Sequence, residues 1–229
     1  IETRRARNRR VNLQPLALGV LHDAVGVQAE GTNPGIQQAA VVAGHEKAVA
    51  ADREIKLARG DLDVALGEFL ADIGETHTVA DADRIRHVAG RVLKRVHAGD
   101  QVVVVVSAMG NSTDDLLDLA LQVAPDPEPR ELDMLLSTGE QVSVALVAMA
   151  LKTLGQDAVG LTGQQAGIIA QGRHYEGRIS RVEADRVRAE LAAGRVPVVA
   201  GYWGVNEDQE IFTLGRGASD TTAVALAIA

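Results

Sequence analysis

Hydrophobic and polar positions change character near residue 79 of the chain. From there, "VADADRIRHVAGRVLKRVHAGD" sets Ile85, Val88, Val92 and Val96 at helical spacing with Arg and Lys between them, and Gly99 closes the run. Next, "QVVVVVSAMG" holds five consecutive valines, Val102 to Val106, the pattern of a parallel strand covered on both faces. "NSTDDLLDLALQV" predicts a helix with Ser112 or Thr113 as N-cap, and Asp114 and Asp115 against the positive end of its dipole. Pro125 to Pro129 reads as a linker that cannot be helical. Arg130 to Gly155 is a long, mostly apolar helical stretch with a break or bend expected at Ser137 to Gly139. A short strand, a Gly-rich loop from Gly163 to Gly167, a second strand-like run, a helix stopped by Gly194 and the buried strand of "RVPVVAGYWGV" follow. This alternation predicts an α/β domain with an open, mainly parallel sheet flanked by helices.

The first 78 residues show no such period. They carry five arginines among their first ten residues, and an Arg-rich tail without a supporting motif reads as solvated or unordered rather than as a nucleic-acid arm or a transit segment. Two parts are therefore expected: residues 1–78, unassigned and offering the sheet no strand, and residues 79–229, a partial catalytic domain in which order begins near Val79 and Val102 to Val106 are central.

Composition narrows the function. The hydrophobic share of 46% comes mainly from Ala, Val and Leu with only five aromatics, which suits helices on a Val-rich sheet. A formal net charge of -8 argues against nucleic acid, whose binding relies on Lys and Arg neutralising phosphates. The absence of cysteine excludes disulfides, thiolate zinc sites and a cysteine nucleophile, and suits a cytoplasmic address. No uninterrupted apolar run reaches the length of a membrane span, and no signal-peptide pattern is present, so no membrane partner is expected.

Three loops fall where doubly wound proteins gather ligands, at the carboxyl ends of strands. They are Ser107 to Thr113, Gly201 to Gly204 and Gly215 to Asp220, each rich in backbone N–H groups or hydroxyls suited to phosphate or carboxylate. In the last, a glycine turn with one cation precedes Ser219 or Asp220 as N-cap of a helix opening on "TTAVAL". Ser107 reads equally as a strand-end serine, and Thr113 as a cap that also touches a ligand. Glu140, within an otherwise apolar helix, must be paired, exposed or functional. His174 and the other histidines lack metal-ligand spacing and read as surface residues; no metal site is expected in the chain itself. Gly215-x-Gly217-x-x-Asp220 fails the dinucleotide fingerprint, since its third position is Asp.

Together, "VVVVVSAMGNSTDDLLDLA", "RELDMLLSTGEQVSVALVAMAL", "LTGQQAGII", "VVAGYWGV" and "TLGRGASDTTAVALA" closely resemble, in order and spacing, the aspartate kinases of the amino acid kinase family. The resemblance runs from about Val79 to Ala229. It implies the amino acid kinase fold and transfer of the ATP γ-phosphoryl group to the side-chain carboxylate of L-aspartate, with ATP and Mg2+ as co-substrate. It also implies a cytoplasmic homo-oligomer in the intact parent. By the same resemblance, Ser107 and Gly110 match the phosphate-side loop, Thr113 and Glu140 line the aspartate pocket, and Arg216 holds a substrate carboxylate. Ser219 and Asp220 complete that loop, Asp220 orienting cationic groups around the transferring phosphoryl.

Departures accompany the likeness. The family's first strand ends Lys-Phe/Tyr-Gly-Gly-Thr-Ser-Val, but here the lysine position holds Ile73, the paired glycines are Glu75 and Thr76, and the family serine of the "TG-Ser-Gln-AG" loop is Gln164. Ala218 stands for the second glycine of the closing loop. These changes imply that the text before Val79 is out of frame, with an added domain as the rival reading. The family chain also continues past the position of Ala229 into a nucleotide-binding segment and regulatory domains, so a truncated, impaired chain is expected. Another phosphotransferase of the family, or a non-catalytic remnant that only binds or oligomerises, are the alternatives.

Overall fold

A computed structural model describes residues 79, 81–215 and 218–229, together with the backbone of 38–43; all of these fall in the unit Ile36–Ala229. The five valines form β2 (Gln101–Val106), and β6 (Val196–Ala200) and β3 (Ala158–Leu161) continue the sheet on one side. On the other side lies β1 (Gln38–Ala43), so the order is β1-β2-β6-β3 and every pairing is parallel. The central place expected for Val102 to Val106 is observed. The expectation that nothing before Val79 could serve the sheet is corrected: Gln38 pairs with Gln101 and the register runs on to Ala43 and Val106. "QAAVVA" has no alternation to announce it, and it is the parallel pairing with β2 that identifies it as a strand.

The valines sort by pleat. Val102, Val104 and Val106 face a core shared with Ile85, Val88 and Val92 of α1 (Ala82–His97) and Val144, Val147 and Leu151 of α3 (Pro129–Thr153). Val103 and Val105 face the opposite core, with Val187 and Leu191 of α4 (Asp185–Ala192) and Ala223 and Leu226 of α5 (Ala218–Ile228). Asp81 caps α1, its side chain accepting from the Arg84 N–H at 2.9 Å. A second sheet, β5-β4-β7-β8, is built from β4 (Ile168–Arg173), β5 (Glu176–Val182), β7 (Trp203–Val205) and β8 (Ile211–Thr213); its β4–β7 pairing is parallel and the others antiparallel.

Several boundaries differ from expectation. α2 (Ser112–Val123) has Asn111 at its N-cap, which places Ser112 and Thr113 inside the first turn. Pro129 is not linker but the first residue of α3, where its missing N–H costs no bond. α3 passes through Ser137 to Gly139 without a break; the Ser137 hydroxyl donates to the Met134 carbonyl at 2.8 Å, satisfied within the helix. α5 begins at Ala218, so Ser219 and Asp220 lie within its first turn rather than before it. Contrary to the expectation drawn from uninterrupted runs, α3 is long and apolar enough to cross a membrane by length and composition. Half of its most apolar window is buried inside the fold, and Asp133, Ser137, Glu140 and Ser143 are buried with it, which is the pattern of a core helix.

Candidate active site

β2 and β6 end side by side, and the loops that leave them form the candidate site. Ser107 is the first residue past β2, and its hydroxyl donates to the Ser219 hydroxyl at 2.7 Å, joining this loop to the first turn of α5. Gly201, the first residue past β6, donates its N–H to the Val106 carbonyl at 2.9 Å. A Cβ on Gly201 would stand 2.5 Å from the Ser219 Oγ and 2.9 Å from its Cα, so this turn and α5 meet at a distance that only glycine permits.

Glu140 enters from α3. Gly139 lets the helix approach the loop, since a Cβ there would lie 2.9 Å from the Cβ of Ala108. A glycine within a helix costs on the order of 1 kcal/mol, and here the close approach brings Glu140 Oε1 to the Ala108 N–H at 3.1 Å. Glu140 is only 2% exposed and its Oε2 has no hydrogen-bond partner. Burial pushes its carboxyl up to about 8, against the pull of the backbone N–H donors, and no cation among the described residues offsets that. A group raised this far holds its proton at neutral pH, and a positively charged partner beside it would favour its ionised form.

Tyr202 closes the wall beyond Gly201. It is buried in a left-handed conformation (φ 71), a strained choice for a tyrosine, and packs with Leu136 and Ala218. Desolvation, with the negative charges of Glu140 and Asp133 adding to it, pushes its phenol up to about 12. Asp220 is half-buried and its carboxyl is raised by desolvation.

Of the residues singled out in the sequence, Ser107, Glu140 and Ser219 therefore converge. Gly110 (φ 47) shapes the turn that feeds α2, and Thr113 is half-buried in that helix's first turn rather than capping it. Arg216 lies outside the described residues. Asp133 and Thr213 carry no sequence motif of a site, and His174, expected at the surface, has its ring stacked on Phe212, 4.4 Å between centroids, with Nδ1 2.8 Å from Asp133 Oδ2. The missed signal was spacing, because Asp133 precedes Glu140 by seven residues and so shares its helix face.

The family model for the amino acid kinase family matches residues 73–229, about six residues further toward the N-terminus than the resemblance from about Val79. An aspartokinase of Mycolicibacterium smegmatis is 56% identical over 153 residues, 66% of this chain and 36% of that protein. One of Geobacillus stearothermophilus is 53% identical over 164 residues, 72% of this chain and 40% of that protein. The chain thus spans well under half the length of these relatives. Among solved structures, the aspartate kinase from Synechocystis superposes with a TM-score of 0.54 at 52% identity, covering 65% of this chain and 24% of that one. E. coli aspartokinase III, in complex with aspartate and ADP, gives 0.58 over 65% of this chain and 44% of that one; at 22% identity it supports the fold alone. With its parallel sheet between helices and its loops converging at the strand ends, the chain belongs to the amino acid kinase family.

Proposed function

We propose that the site binds L-aspartate for phosphorylation of its side-chain carboxylate by ATP, giving 4-phospho-L-aspartate, the chemistry that opens lysine, threonine and methionine biosynthesis. The observation that carries this reading is Glu140: a buried carboxyl group with no cation beside it among the described residues and one oxygen unpartnered, near a serine pair at the ends of parallel strands. An α-ammonium group is the donor it lacks, and an amino acid acceptor supplies one. In this reading Arg216 holds a substrate carboxylate bidentately, Thr113 lines the same pocket, and Ser107 with Gly110 faces the nucleotide phosphates.

The transfer itself asks for position and charge neutralisation rather than covalent help from the protein. A carboxylate oxygen of the substrate attacks the γ-phosphorus, the bond to the bridging oxygen breaks, and ADP leaves with the electron pair. Magnesium arrives with the nucleotide as part of the substrate. Asp220, half-buried beside Ser219, orients the cationic groups around the phosphoryl. Ile73, Glu75 and Thr76, where the family has Lys-x-Gly-Gly, supply neither cation nor glycine N–H groups, so turnover is slow.

Trapping the acyl phosphate with hydroxylamine, across a panel of acidic amino acids, tests the reading. It predicts hydroxamate with L-aspartate in preference to L-glutamate and none with Glu140→Gln; equal yields across the panel would point to another acceptor of the family.

A further inference from the structure

Asp133, in the second turn of α3, has a fully buried carboxylate fed by two separate segments, the tip between β4 and β5 and the strand β8. The Tyr175 N–H donates to its two oxygens at 3.0 and 3.1 Å, His174 Nδ1 lies 2.8 Å from Oδ2, and the Thr213 hydroxyl donates to Oδ1 at 2.5 Å. The Tyr175 N–H and the Thr213 hydroxyl donate, and His174 donates as well in the tautomer that carries its proton on Nδ1. A carboxylate is the side chain that only accepts, whereas an amide would turn an NH2 toward one of them. Tyr175 (φ 66) is, like Tyr202, a left-handed tyrosine, so the clamp holds the tip between β4 and β5 in a conformation it would not otherwise favour.

The same carboxylate reaches the site through Thr213. Thr213 pairs with Trp203 across the β7–β8 ladder, its side chain meets the Tyr202 phenol, and the next residue, Leu214, donates its N–H to the Tyr202 carbonyl at 2.7 Å. Seven residues along the same helix stands Glu140.

We propose that Asp133 is a positioning residue: through the Thr213 hydroxyl it holds the Gly201–Tyr202–Trp203 turn in its strained conformation, and so fixes the wall that sets Glu140 and Ser219 for the acceptor. The consequence for ligand binding rests on the L-aspartate reading above; the positioning of the turn does not.

Trp203 is the sole tryptophan of the chain and is 2% exposed, so its emission reports on this turn alone. The experiment compares the 229-residue chain with Thr213→Val, Thr213→Ser and Asp133→Asn, recording Trp203 emission, circular dichroism and L-aspartate affinity. Thr213→Val, equal in shape but without the hydroxyl, is expected to shift the emission and weaken L-aspartate binding about tenfold, or ~1.4 kcal/mol, with helix content unchanged. Thr213→Ser, which keeps the hydroxyl and loses a methyl, stays near the parent. Asp133→Asn repeats the shift, and decides the matter if the valine variant does not fold. Unchanged emission in the Val or Asn variant, or a Ser variant as impaired as Val, overturns the proposal. Shifted emission in a chain whose parent does not bind L-aspartate supports the positioning role and rejects the substrate reading.

Discussion

The Ser107 hydroxyl donates to the Ser219 hydroxyl at 2.7 Å, although 112 positions separate the two residues. The loop after the central strand and the first turn of α5 are thereby joined at one point, and Gly201 packs against that point with no room for a methyl group. Gly201→Ala is expected to destabilise the fold by about 1–3 kcal/mol, the cost of overpacking a tight contact, because the atoms it meets include the Ser219 backbone. Urea denaturation measures it; a midpoint equal to the parent's would mean that the turn yields freely.

Glu140 makes stability depend on pH with a definite sign. Its folded-state value, raised from 4.5 to about 8, means the folded chain holds a proton that the unfolded chain has released between those limits. Stability is therefore highest below about 4.5 as far as this group is concerned, and falls as pH rises toward 8, by an amount on the order of a few kcal/mol. Glu140→Gln, which cannot ionise, should remove this part of the decline. Melting temperatures from pH 5 to 8 test it, and parallel curves for the two proteins would show that Glu140 is ionised throughout.

Turnover carries the mark of residues 73–76. A preorganised donor aimed at developing charge is worth about 10²- to 10³-fold in rate, and Ile73, Glu75 and Thr76 bring neither the family's lysine nor its side-chain-free glycines to that stretch. The chain as written is expected to form aspartyl hydroxamate far more slowly than about one per second, the low end of ordinary enzymes. Ile73→Lys alone should not restore it, because Glu75 and Thr76 keep side chains where close backbone approach to phosphate calls for glycine. A rate near one per second from the unaltered chain would show that another cation serves the phosphates.

The sheet was legible because five consecutive valines have few readings other than a strand covered on both faces, and the site loops because their glycines and hydroxyls follow strands. Helix starts were less so: Thr113 and Ser219 have the chemistry of caps, yet Asn111 is the cap of α2 and Ser219 lies inside the first turn of α5. Residues 38–43 escaped notice because small apolar side chains without alternation give no period, and it is pairing with β2 that makes them a strand. Gly139 suggested a bend where the helix runs on, since a glycine that admits a neighbour and one that breaks a helix look alike in sequence. Asp133 and His174 lie 41 positions apart, and only the packing of α3 against the tip between β4 and β5 brings them together.

Calorimetric titration of the chain with L-aspartate at pH 7, in two buffers of different ionisation enthalpy, tests the central claim that Glu140 receives the acceptor's ammonium group. A protonated Glu140 must ionise to accept that partner, so binding should release close to one proton, and affinity should rise with pH up to about 8. Succinate, which has the two carboxylates and no amine, should release none, and Glu140→Gln should abolish the release with L-aspartate. Binding of L-aspartate with the same heat in both buffers, or equal binding of succinate, would contradict the account.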